Sequence, residues 1–151
     1  MTKKVQEKQT RTVKRKIDTG TLHRTFTLNR EQVDEENRTV PLAFSSEEPV
    51  ERWFGNEVLS HDPSHVDLGR LNDGGALLVD HNPTDHVGVI EEASIDSDRV
   101  GRAIVRFGRG ARAQEIFQDV LDGIRSKISV GYRIHEMLED RSTDTFTATR
   151  W

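Results

Sequence analysis

Two side chains in this 151-residue, cysteine-free sequence have the types and settings for covalent chemistry. Ser129 opens an alternating stretch, Ser-Lys-Ile-Ser-Val-Gly-Tyr, in which Val130, Tyr132 and Ile134 share one face and Ser129, Gly131, Arg133 and His135 share the other. The serine's neighbour on its own face is therefore Gly131, whose missing side chain leaves room for another backbone to approach. His81 follows the apolar run Ala76–Val79 and is held by Asn82-Pro83. An imidazole at the end of a rigid strand titrates near neutral pH and suits a general base. Each residue also has a plainer reading: a serine that begins a strand, with Gly131 marking a bulge, and a solvent-facing loop histidine. Spacing alone favours the plainer pair.

The other polar constellations are weaker. His61 and His65 have i, i+4 spacing, but Pro63 between them breaks the helix that would align them; His81 and His86 lie five apart across a proline turn. Without cysteines a zinc site needs three of these histidines to converge, so no metal is expected, and no cofactor either. Gly108-Arg109-Gly110 precedes a helix but lacks the lysine and Ser/Thr of a nucleotide loop, and reads as a hinge.

The elements that must position Ser129 and His81 are mostly strands. Leu22–Leu28 alternates, with Leu22, Arg24, Phe26 and Leu28 on one parity, and Thr39–Phe44, interrupted by Pro41, reads as an edge strand. Ser45 with Glu48 three residues on, and Pro49 in the first turn, predicts a helix start; Val50, Trp53 and Phe54 give that helix an apolar side and Gly55 ends it. Residues 60–75 read as an extended loop. His86–Ile95 and Arg99–Phe107 flank a turn as a β-hairpin. Ala113, Ile116, Phe117, Val120 and Leu121 fall at helical spacing within 111–123, with Gly123 at the end. Ile128–Met137 returns to strand, and after the turn at 140–144 residues 145–151 start its partner. The sum is a mostly β domain with two or three helices.

Composition bounds the rest. The chain is 33% hydrophobic and 32% charged, lean for a compact fold, so part of it is expected to be unstructured. Residues 1–16 hold seven basic side chains against Glu7, a net +6, within a chain whose total is −4. Residues 1–18 are therefore read as a basic, disordered leader and 19–151 as one domain. An acidic body behind a basic tail is not the charge pattern of a nucleic-acid-binding domain. No apolar run reaches the ~20 residues of a membrane span, and the N-terminus lacks the apolar stretch of a signal peptide.

Three stretches together resemble the prohead (capsid maturation) proteases of tailed bacteriophages. They are Leu77-Leu78-Val79-Asp80-His81-Asn82 with His86-Val87-Gly88-Val89-Ile90-Glu91; Val100-Gly101-Arg102-Ala103 through Arg106-Phe107; and Asp122-Gly123-Ile124 through Ser129-Val130-Gly131-Tyr132. Glu51-Arg52-Trp53-Phe54-Gly55 and Val66-Asp67-Leu68 fit the same pattern, so the likeness covers roughly residues 20–151. The resemblance implies an antiparallel β-barrel with helices, similar to the herpesvirus assembly proteases. It also implies a serine endopeptidase with Ser129 as nucleophile and His81 as general base. The implied partners are capsid precursor and scaffold polypeptides, together with self-association into dimers or higher forms. The implied place is the host bacterial cytoplasm, inside the assembling prohead.

The family's third catalytic residue follows the hairpin after the nucleophile. With the turn centred near Ser142, Ser129 is expected to face about residue 155, past Trp151, leaving the barrel short of its last strands, open at one edge and prone to associate. His135 shares the face of Ser129 but lies about 20 Å along the strand. Two other readings compete. A catalytically inactive, capsid-associated structural protein would keep the fold and bind without cleaving; a generic small β-domain binding module would leave the joint likeness of the three stretches unexplained.

Overall fold

The computed structural model describes residues 12–151, which form eleven strands and two helices. The strands are β1 (Thr12–Arg15), β2 (Leu22–Thr27), β3 (Thr39–Ser45), β4 (Val50–Arg52), β5 (Gly55–Leu59), β6 (Ala76–Leu78), β7 (His86–Ile95), β8 (Gly101–Phe107), β9 (Lys127–Tyr132), β10 (Glu136–Asp140) and β11 (Thr145–Arg150). The helices are α1 (Gly69–Asn72) and α2 (Ala111–Leu121). The fold class is mostly β with few helices, as the pattern predicted. The closed barrel is not formed: the strands divide into a five-stranded sheet in the order β1-β10-β11-β5-β4, a four-stranded sheet β3-β8-β7-β6, and a two-stranded ribbon β2-β9.

The main core lies between the four-stranded sheet and α2. Along β8 every second residue is buried, as a half-covered strand requires, and α2 contributes Ala113, Ile116, Phe117 and Val120 at helical spacing. The helix ends in a Schellman turn. Gly123 takes a φ of +73°, its N–H donates to Val120 O, and Ile124 N–H donates to Asp119 O. A second core cluster, Leu59, Tyr132, Ala148 and Trp151, sits beneath the five-stranded sheet.

Three local expectations give way. Residues 45–55 form no helix; β4 and β5 make a tight hairpin there. Ser45 ends β3 instead of capping a helix, and Gly55 adopts a φ of +137° against Phe146, where an added Cβ would stand 2.7 Å from the ring. The alternating stretch 128–137 is broken at 133–135 into β9 and β10, which enter different sheets. Thr12–Arg15, within the expected leader, form β1 on the edge of β10, where Arg15 pairs with Glu139; the rest of the leader, 1–11, lies outside the described residues.

The ribbon is fastened to the five-stranded sheet by a buried carboxylate. Glu57 on β5 has 0% exposure. Its Oε1 accepts from Arg24 Nη2 on β2 at 2.9 Å, from the Tyr132 hydroxyl on β9 at 2.7 Å and from Arg52 Nε on β4 at 3.3 Å. Arg24 also donates to the carbonyls of Glu48 (2.5 Å) and Glu57 (3.1 Å), and Arg52 to that of His23 (2.9 Å). Burial first, and the Glu57 contact second, push the Tyr132 hydroxyl above its ordinary pKa, so it stays a donor. Replacing one partner of a buried pair strands the other charge in low dielectric. Arg24→Met is expected to lower unfolding free energy by ~3–5 kcal/mol, measured by urea denaturation; a loss under ~1 kcal/mol would show that the knot is not structural.

Candidate functional site

The site that joins Ser129 to His81 is built from β9, β6 and the ribbon. Asn82 N–H donates to Val79 O across a tight turn, in which Asp80 and His81 both take positive φ, 52° and 54°. Two consecutive non-glycine residues in that region carry strain that the surroundings must hold. Val79 N–H reaches Asp85 O, and Asp85 is tied to α2 by Arg112, whose hydrogen bond holds the Asp85 carboxyl below its usual range.

That turn sets the His81 ring edge-on against His23 of β2, with ring centroids 4.4 Å apart. On β9, Ser129 pairs with Thr25 and Gly131 with His23. The structure therefore brings Ser129 and His81 to one cleft of about 610 Å³, floored by Phe44, Ile90 and Val105. Among the described residues no hydrogen bond joins them. The bare face at Gly131, expected to await another backbone, is covered in part by His23, whose Nε2 would lie 3.3 Å from an added Cβ. The continuous strand from which residue 155 was set opposite Ser129 is not formed. The hairpin of β10 and β11 pairs Glu139 with Phe146, close to the expected spacing, but β9 turns away to β2, so Ser129 faces Thr25. His135, past the break, lines a separate cleft beside β1.

His23 escaped sequence reading because it stands on the polar parity of β2, where exposure is unremarkable. Arg24 carried a readable signal, a charge on the apolar parity. Two further serine–histidine contacts were also missed. His61, at 0% exposure, donates from Nδ1 to Leu59 O (2.8 Å) and accepts at Nε2 from the Ser45 hydroxyl (2.8 Å). Gly101 packs on Ser45, and the Trp151 ring lies 5.3 Å from that of His61. The pair has the hydrogen bonds of a nucleophile and its base but no access, and serves to pin β3 to the end of β5. Ser60 Oγ meets His65 Nδ1 at 2.6 Å beside it. Among the described residues no three metal-ligating side chains converge, and no helix is long and apolar enough to cross a membrane.

No family model matches the chain, and no solved structure matches it. It is 45% identical over 116 residues to the major capsid protein of Halomonas phage phiHAP-1, a likeness covering 73% of this chain. The chain spans about a fifth of that protein's length (19%). The likeness relates it to a phage capsid protein. This likeness, to a protein named a major capsid protein and not a protease, overturns the serine-endopeptidase expectation.

Burial holds the His61 pKa below its ordinary value, against the opposing pull of the Leu59 carbonyl and Glu47. Its neutral form is the one the fold accepts, so the unfolded chain binds the extra proton. Stability is therefore full above about pH 6.5, the ordinary histidine value, and falls as pH drops below it and through the folded value. Urea midpoints between pH 8 and 5 are expected to decline less steeply in His61→Gln than in the parent; identical slopes would contradict this assignment.

Proposed function

We propose that this chain is a capsid-associated structural domain that works by docking to other capsid polypeptides and not by cleaving them. The observation that carries the reading is the 45% identity to a phage major capsid protein over most of the chain. In this reading the domain retains the framework of the herpesvirus-protease-like fold while Ser129 and His81 serve as walls of a binding cleft. Its place is the phage capsid, with capsid precursor and scaffold chains as partners.

The shape of the cleft supports docking. Among the described residues β6 pairs only with β7, and β9 only with β2, so each of the two strands that line the cleft has one side without a described neighbour. An unpaired strand side offers backbone donors and acceptors to another chain. The floor supplies apolar contact, which gives association its driving force.

Co-expression with the phage's own capsid polypeptide tests the reading. The intact chain is expected to co-purify with assembled shells, and Ser129→Ala to do so within about twofold, since removing one half-buried cleft hydroxyl changes little. Absence from the shells, or capsid cleavage that disappears in Ser129→Ala, would overturn it.

A further inference from the structure

The fold holds an aromatic knob and, elsewhere on its surface, a socket of matching chemistry. The knob is the turn between β4 and β5. Trp53 is 77% exposed, the most open of the large apolar side chains, yet it is not loose. Its ring stands edge-on to Phe54 (centroids 5.3 Å), and Phe54 stands edge-on to the buried Phe146 (5.4 Å). Gly55 lets the turn settle on Phe146, and Arg52 below it is locked to Glu57. A tryptophan held this rigidly loses little freedom on binding, which is why such residues dominate interface energies.

The knob is acidic on balance and the socket basic on balance. Glu51 lies two residues before Trp53, and Asp144 sits in the same surface hollow; both are exposed, while Arg52 beside them is paired with Glu57. The cleft between β6 and β9 has the apolar floor a tryptophan ring requires, and it carries Arg70 and Lys127 against the single acid Asp80. Among the described residues none of Glu51, Asp144, Arg70 and Lys127 has an ion-pair partner.

We infer that the Trp53 hairpin of one copy inserts into the β6–β9 cleft of a second copy, with Glu51 and Asp144 set against Arg70 and Lys127. A knob and a socket on different patches make a head-to-tail contact, which repeats into a ring or an open chain and does not end at a pair. That is the kind of contact a shell-forming structural protein needs. The inference rests on the docking reading above and names the docking partner as this chain itself.

Mixing two variants of the full chain tests it, with sedimentation velocity as the readout. Trp53→Ala removes the knob and keeps the socket; Gly131→Trp fills the socket and keeps the knob. Each alone is expected to associate about thirtyfold more weakly than the parent, the usual cost of losing a tryptophan hot spot. Mixed, they recover one functional knob and socket, so a one-to-one dimer of parental affinity is expected. A symmetric Trp53–Trp53 contact would be abolished by Trp53→Ala alone and unaffected by Gly131→Trp, which would overturn the inference, as would a mixture that stays monomeric. Should Gly131→Trp fail to fold by circular dichroism, charge reversal replaces it. Lys127→Glu with Arg70→Glu is expected to weaken association, and Glu51→Lys with Asp144→Lys in the partner to restore it; no restoration refutes the contact. Because only self-association is read, its loss with capsid co-purification intact overturns this contact and leaves the docking reading standing.

Discussion

The carboxylate of Glu57 is the constraint on which the arrangement depends. A carboxylate at 0% exposure is tolerable only when its charge is met, and here one oxygen gathers Arg24, Arg52 and Tyr132 from three different strands. The other oxygen, Oε2, is buried with no partner among the described residues, so the knot has no surplus. Those donors come from β2, β4 and β9. The position of the ribbon, and with it the line of Ser129 and Gly131, is thus set by an ion pair in the neighbouring sheet and not by strand pairing with that sheet.

The cleft follows from this. Because β9 is drawn to β2 and held over Glu57, it does not continue into β10, and the strands cannot close into a barrel. The space left beside β6 becomes a cleft with apolar residues on its floor. The strained turn at Asp80 and His81 then swings the imidazole toward His23 and away from a hydrogen bond with Ser129. Arg112, reaching Asp85 from α2, ties the far side of that loop to the main core. The same hairpin that supplies Arg52 to the knot raises Trp53 into solvent, so the exposed aromatic is as firmly placed as the buried carboxylate.

Period and turn chemistry made much of this legible in the sequence. The hairpin of β7 and β8, the apolar face of α2 with Gly123 at its end, the edge strand containing Pro41 and the turn before β11 all follow from local signals. What local signals could not carry is where a strand goes after it ends. Residues 128–135 alternate without interruption, yet the chain breaks because Tyr132 is committed to Glu57 while Met137, on the other parity, is committed to the five-stranded sheet. Ser45 to Gly55 bears the marks of a helix, but Glu57 must face Arg24, and the chain before it pairs back as β4. In the site, Ser129 and His81 line one cleft; His23 was invisible because its importance comes only from register, and the catalytic role did not survive the likeness to a capsid protein.

On the proposed function, this chain binds capsid polypeptides through this surface and leaves them intact. Hydrogen exchange of the domain, free and within assembled shells, is the measurement that decides it. Slowed amide exchange is expected in β6, in β9 and across the β4–β5 hairpin on assembly, with every polypeptide recovered at full length. Unchanged exchange in all three segments, with new chain termini appearing in the capsid polypeptide, would contradict it.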